Sequence, residues 1–281
     1  MRDVLVRLQA GELSVDEALA ELRRTQLMEL AGRARLDLGR PARRGIPEVI
    51  LAAGKSPPEA AQLVVRLALE QGQGLISRLT PDHADAISAA AAEHELRRFT
   101  YAETGLALRR PDFVPVASGG RAAVVTAGTS DRAVAEEARM VLEAAGVEVR
   151  MTFDVGVAGL HRLIEPLVEL EGWGVDVYVV AAGMDGVLPG VVAGLVGAPV
   201  IGVPVATGYG MGGEGEAALL TMLQSCATGL VVVNVGNGVG AGAAAALIAS
   251  AAGAARRTRR RREQPAPAVP TARPARRRST S

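Results

Sequence analysis

A chain of 281 residues with 49% hydrophobic but only 2% aromatic side chains, 33 glycines and one cysteine must build its core from Ala, Val and Leu, and cannot close an intrachain disulfide. That composition suits closely packed parallel sheet and helix layers better than an aromatic-cored β-sandwich. The net charge of +1 is uneven: from Arg256 onward ten Arg and one Glu carry +9, which leaves −8 on an acidic body and argues against a dedicated nucleic-acid partner.

The start of the chain, Met1-Arg2-Asp3-Val4, lacks the apolar core of a signal peptide. With a single cysteine this points to a reducing, cytoplasmic setting. Residues 4–31 read as a helical hairpin, opening a unit placed at 1–35, with a Ser14-Val15-Asp16-Glu17 capping box and Ala18, Leu19 and Leu22 at helical spacing. Residues 36–121 form an N-terminal α/β region and linker. Gly54-Lys55-Ser56 invites a phosphate-loop reading, but that pattern needs glycine at 49, where Val49 stands. The stretch around it reads as a basic turn, an edge strand and a helix from Pro57. Helical spacing recurs over 57–72 and 81–95, and 97–121 reads as strand and linker. His83 and His94 look solvated in their charged helical surroundings.

From Ala122 the pattern changes. Strands near 122–126, 147–153, 176–182, 199–205 and 229–234 alternate with helices over 131–145, 157–170, 188–196, 214–225 and 240–252. Apolar strands between helices, joined by right-handed crossovers, make an α/β fold: a three-layer parallel-sheet domain over 122–253, beside a smaller, mostly helical N-terminal region. The Ala-rich stretch 239–255, at about 17 residues, falls short of the ~20 that span a bilayer, so it reads as a buried terminal helix and no membrane partner is expected. Residues 254–281, rich in Arg and Pro, read as a disordered tail.

Ligands on parallel sheets bind at the carboxyl ends of the strands. There the sequence sets Gly128-Thr129-Ser130-Asp131, a glycine turn with two hydroxyls before a helix, suited to a phosphate and equally to a helix cap. After the second strand come Asp154 and His161. The third is followed by Gly183-Met184-Asp185-Gly186, the fourth by a glycine-rich loop with Gly208-Tyr209-Gly210, and the fifth by Asn234 and Asn237. Cys226, at the end of an apolar helix, is either packing or a nucleophile, and no neighbouring positive group is visible to stabilise its thiolate. His161 suits acid/base work or a surface position. Asp154 and Asp185 fit turns, caps or catalysis alike, and no Cys/His set has zinc spacing, so the metal is unknown.

Gly128–Asp131, the run from Asp154 to Arg162, Ala182–Gly186, Gly208–Gly210 and Ser225-Cys226-Ala227 resemble the nickel-pincer-nucleotide cofactor biosynthesis carboxylase/hydrolase family, LarB, whose sheet domain is similar to phosphoribosylaminoimidazole carboxylase, PurE. The resemblance covers roughly 36–252; where that family has Glu after Gly-Met, this chain has Asp185. The resemblance implies carboxylation of the pyridinium ring of nicotinic acid adenine dinucleotide with CO2 or bicarbonate, and hydrolysis of its phosphoanhydride to release AMP. It implies Cys226 as the nucleophile and His161 as the first choice for acid/base work. Asp131 and Asp154 would orient ribose, water or a divalent cation. The Gly128–Asp131, Gly183–Gly186 and Gly208–Gly210 stretches would hold the substrate. No tightly bound cofactor is expected beyond optional Mg2+, and the assembly implied is a homo-octamer. The competing readings are an aminoimidazole ribonucleotide carboxylase or mutase, which has no use for Cys226, and a nucleotide-binding module without catalysis.

Overall fold

The structure is a computed structural model and describes residues 2–24, 26–30 and 34–263. Two short amphipathic helices, α1 (Arg2–Gln9) and α2 (Val15–Arg24), open it. The capping box forms: the Ser14 N–H donates to Glu17 Oε2 at 2.7 Å, and the Glu17 N–H to Ser14 Oγ at 3.3 Å. The helical unit ends at Arg24, earlier than expected for a hairpin over 4–31 or a helical 1–35. Leu27–Leu30 is instead β1, paired antiparallel with β2 (Ala34–Asp37). Burial decides this. Met28 faces Leu36 on the side packed against the N-terminal core, while the next pair outward, Glu29 and Arg35, bridges at 2.9 Å on the other face. That is a two-residue period.

After α3 (Arg40–Arg44) come β3 (Val49–Leu51), α4 (Pro57–Gln71), β4 (Gln73–Ser77), α5 (Pro81–Ala92), β5 (Arg97–Tyr101) and β6 (Gly105–Arg109). The strands form a mixed sheet in the order β3-β4-β6-β5, parallel only between β3 and β4. The stretch expected to be strand and linker over 97–121 therefore holds a β-hairpin. Its periodicity was weak because β5 is exposed along most of its length and β6 is buried on both faces. His83 corrects another expectation, since it is buried, not solvated. Its Nδ1 accepts the Thr80 N–H at 3.2 Å and its Nε2 faces the Lys55 carbonyl at 3.0 Å. It ties the start of α5 to the Gly54-Lys55-Ser56 turn, whose Ser56 begins α4. That turn is structural.

The second sheet is built from β7 (Arg121–Thr126), α6 (Arg132–Ala144), β8 (Glu148–Thr152), α7 (His161–Trp173), β9 (Val177–Ala182), α8 (Leu188–Ala193), β10 (Val200–Pro204), α9 (Glu216–Leu223), β11 (Leu230–Val232) and α10 (Gly238–Glu263). Its five strands are all parallel, in the order β11-β10-β9-β7-β8. The expected three-layer α/β sandwich is present. Along β7, Ala122 and Val124 pack with α6 and α10, while Ala123 and Val125 pack with α7, α8 and α9. Both faces are dry, which is why the strands read as continuous apolar runs. Each such Val contributes roughly 1.5–3 kcal/mol of burial.

Helix α6 also meets the first sheet. Leu75, Tyr101 and Ala107 enclose its Met140 and Ala144. Tyr101 donates to Glu143 Oε2 at 2.7 Å and the buried Gln73 amide to the Ala144 carbonyl at 2.9 Å. The layers thus run helix, sheet, helix, sheet, helix.

The last helix departs from expectation in two ways. It does not stop at 252, nor is 254–263 disordered; it continues to Glu263 because arginines beyond residue 255 have partners. Arg256 forms a two-pronged ion pair with Asp176, Nη2–Oδ2 at 2.7 Å, and also donates to the Gly119 carbonyl, while Arg257 donates to Ser118. Residues 264–281 lie outside the described residues. Against the expectation from the Ala-rich stretch 239–255, Gly238–Arg259 is long and apolar enough to cross a membrane, with a mean hydropathy of 1.6. Its Ala241, Ala245, Ala246 and Ala249 are instead packed in the core. At Gly242 a Cβ would lie 2.6 Å from the Ala138 carbonyl, so only glycine permits this approach to α6.

Burial alone would raise the carboxyl of Asp176, but Arg256 and the Arg121 amide outweigh it and hold it below its ordinary value of 3.8. A depressed folded-state value stabilises above the unfolded one and is lost as pH falls through the folded one. Arg256→Ala is expected to cost about 1–2 kcal/mol at pH 7, a modest figure because Arg256 is partly exposed, and less below pH 3.8. Urea unfolding at pH 7 and pH 3 checks both.

Candidate active site

The carboxyl edge of the second sheet carries a cavity of about 570 Å3 lined by Gly128, Ser130, Asp131, Asp154, Arg162 and Thr207 among others. The loop after β9 completes its wall with Gly183, Met184 and Asp185. Asp131 organises it. The Asp131 side chain is buried, and Oδ2 accepts the Gly128 N–H at 2.8 Å while Oδ1 accepts the Thr207 hydroxyl at 3.1 Å. Burial raises its carboxyl above the ordinary range, opposed by hydrogen bonds from Gly128, Thr207 and the Gly183 backbone. Three loops, those after β7, β9 and β10, thus converge on one carboxylate. Gly183 must lack a side chain here, because a Cβ would sit 2.0 Å from Thr207 Oγ1 and 3.2 Å from Asp131 Oδ1. With one oxygen bonded to Gly128 and the other to Thr207, Asp131 shapes the turn while it lines the cavity.

Asp154 and Met184 line the cavity with positive φ of 57° and 51°, a left-handed conformation that non-glycine residues adopt sparingly. Asp154 is held from two sides: its N–H donates to Thr126 Oγ1 at 3.3 Å and its carboxylate accepts Arg162 Nη1 at 2.6 Å. Arg162 brings a guanidinium into the same cavity lining as Gly128, Ser130 and Asp131. Its neighbour His161, exposed in the first turn of α7, does not line the cavity. Thr129, Gly208, Tyr209 and Gly210 also lie outside its lining, and Tyr209 is 81% exposed. Asn237 caps α10, accepting the Gly240 N–H at 2.8 Å.

Cys226 lies beyond the end of α9, not within a helix, and its side chain is exposed rather than packed. It lines a second cavity of about 500 Å3 with Gly186, Val187, Gly190, Met222 and Ser225. The two cavities share one loop, with Gly183, Met184 and Asp185 facing the first and Gly186 and Val187 the second. Among the described residues no three His, Cys, Asp or Glu side chains gather to hold a metal.

Sequence reasoning missed Arg162 and Thr207 as site residues. Arg162 stood in a quoted motif, and its signal was a cation one residue into a helix that starts at a glycine-rich loop. Thr207 had no local signal, because its partner Asp131 is 76 residues away.

The chain belongs to the AIR carboxylase family, whose model matches residues 121–265, and this makes it a carboxylase/mutase-type enzyme. Ahead of that match, residues 28–108 fit the model of the LarB/PurE-like N-terminal domain. The chain is 37% identical to an uncharacterised protein of Methanocaldococcus jannaschii over 239 residues, 83% of this chain and 91% of that protein. It is 38% identical over 102 residues to the N5-carboxyaminoimidazole ribonucleotide mutase of the same organism, covering 36% of this chain and 60% of the mutase. The crystal structure of Treponema denticola PurE is similar at 18% identity with a TM-score of 0.37, over 51% of this chain and 92% of that one.

Removing the guanidinium in Arg162→Gln is expected to weaken binding of a phosphate-bearing ligand by about tenfold, in line with one partly exposed charge-assisted contact. Calorimetric titration with nucleotides carrying one and two phosphates checks this; stability should hardly move, because Arg162 is partly exposed.

Proposed function

We propose that the chain carboxylates the pyridinium ring of nicotinic acid adenine dinucleotide and hydrolyses its phosphoanhydride, releasing AMP and a pyridinium-3,5-biscarboxylic acid mononucleotide. The observation that carries this reading is the pair of cavities on one shared loop. One has an anion-type turn with Arg162 and the other an exposed thiol. A dinucleotide with phosphates in the first and its ring in the second would use both.

The chemistry gives Cys226 a purpose. A pyridinium ring is electron-poor and does not attack CO2. Addition of the Cys226 thiolate forms a C–S bond and sends the ring electrons to nitrogen, giving a neutral dihydropyridine with a nucleophilic enamine carbon. That carbon attacks CO2, forming the new C–C bond. Loss of its proton and expulsion of the thiolate restore the aromatic cation. The net change is ring plus CO2 to ring carboxylate plus one proton. The ring's own positive charge favours the thiolate once substrate is bound. Water then cleaves the phosphoanhydride, with the α6 end and Arg162 facing the developing phosphate charge. His161 keeps a place in this reading only as a surface residue that substrate or a second copy would bring into reach. Magnesium, where it takes part, travels on the substrate's phosphates. Homo-oligomer assembly belongs to the same proposal. Ile164 and Val168 of α7, and Met211, are more than half exposed and would be covered by a second copy.

A carboxylase of aminoimidazole ribonucleotide, or a mutase of its N5-carboxy form, is the second reading, favoured by the matched mutase segment. It leaves Cys226 idle. Incubation with the dinucleotide, bicarbonate and magnesium should yield AMP and the dicarboxylated mononucleotide; turnover of aminoimidazole ribonucleotide or its N5-carboxy form alone would reverse the choice.

A further inference from the structure

Six non-glycine residues among those described have positive φ, and one of them, Arg78 at 60°, lies in the N-terminal sheet's territory just after β4. A bulky residue keeps that conformation only where its surroundings impose it. Here the side chain crosses to the other domain. Arg78 Nε lies 3.3 Å from Oε1 of Glu137, a residue only 2% exposed, and Nη2 donates to the Gly236 carbonyl. Glu137 Oε2 has no hydrogen-bond partner, so Arg78 is the cation that answers this buried carboxylate.

Each end of that bridge leads to the candidate active site. Gly236 sits in the turn after β11. Its N–H donates to the Pro204 carbonyl at 2.7 Å, where β10 passes into the loop that carries Thr207, and Thr207 donates to Asp131. The same turn supports the far end of that loop, since a Cβ on Gly215 would lie 2.7 Å from Val235 Cγ1. Glu137 lies on α6, which begins at the residue after Asp131. One guanidinium therefore joins the fifth loop, and through it the fourth, to the helix that starts at the phosphate-type turn.

We propose that Arg78 is a positioning residue of the active site, through which the N-terminal domain holds the 204–215 and 234–237 loops in register with the Gly128–Asp131 turn. Its consequence for turnover rests on the carboxylase/hydrolase reading above; its consequence for the loops does not.

The test compares the full chain with Arg78→Ala, Arg78→Lys and Tyr101→Phe, the last removing a different bond between the first sheet and α6 at Glu143. Amide hydrogen exchange in 204–215 and 234–238 is expected to be at least tenfold faster in Arg78→Ala and unchanged in Tyr101→Phe. Arg78→Lys should be intermediate, because one ammonium cannot span both Glu137 and the Gly236 carbonyl, and it carries the test if Arg78→Ala does not fold. With the dinucleotide, kcat should fall about tenfold in Arg78→Ala and recover partly with millimolar guanidinium, whereas Tyr101→Phe should keep wild-type kcat and KM. Wild-type exchange in both segments of the Arg78 variants, or the same loop loosening in Tyr101→Phe, would overturn the proposal. A wild-type chain that leaves the dinucleotide untouched would sink the proposed reaction, with exchange still deciding on Arg78.

Discussion

Cys226→Ser is expected to abolish carboxylation of the dinucleotide, a fall of at least about a thousandfold, equivalent to ~4 kcal/mol of transition-state stabilisation. The effect should be confined to chemistry. Cys226 is exposed beyond the end of α9 and fills no core space, so its replacement should change stability by less than about 0.5 kcal/mol. Serine keeps the shape, but its alcohol is too weak an acid to supply the anion that adds to the ring. Dinucleotide affinity should persist, because the groups proposed to hold phosphate line the other cavity. Product analysis by mass spectrometry with parallel thermal unfolding reads both halves. Equal turnover in the two proteins would rule out the thiolate route.

Asp131→Ala is the second large effect, and it should damage fold and site together. The substitution strands the Gly128 N–H and the Thr207 hydroxyl where the carboxylate was buried, and frees the loops after β7 and β10 from each other. Leaving such groups unsatisfied costs about 2–4 kcal/mol in total. Asp131→Asn should behave differently. Its oxygen can still accept from Gly128, and its amide can donate to Thr207 once that hydroxyl turns, so the three-loop junction survives. The pH dependence separates the two effects. Because burial raises the Asp131 carboxyl in the folded state, its contribution to stability is fully present below the ordinary value of 3.8 and is lost as pH rises through the raised folded value. Asp131→Asn lacks that loss, so its stability relative to wild type should improve between pH 3 and pH 6. Denaturant midpoints across that range check the sign.

The sheet domain was legible because its physics is local. Runs such as Val177–Ala182, dry on both faces, cannot be mistaken for half-exposed strands, and the residues at their carboxyl ends follow from chain direction alone. The N-terminal region was less legible where tertiary packing overrode local pattern. Leu27–Leu30 continues a helical-looking stretch until Leu36 arrives across the hairpin to pair with Met28. Arg256 looked like part of a solvated basic tail because Asp176, 80 residues earlier, is what fixes it. The candidate site divided the same way. Gly128–Asp131 and the 183–187 loop were visible as turns on one edge, but the role of Asp131 was not, since it depends on Thr207. Neither Arg162's entry into the cavity nor His161's absence from it could be read from a helix start, where one residue's rotation decides which side chain turns inward.

The proposed reaction depends on the thiol of Cys226 meeting the pyridinium ring. Intact mass measurement of the wild-type chain after brief incubation with nicotinic acid adenine dinucleotide, with and without bicarbonate, tests that meeting directly. A covalent adduct of the nucleotide that maps to Cys226 and is missing in Cys226→Ser is the expected result. An unmodified wild-type mass while AMP and the dicarboxylated product still accumulate would contradict it.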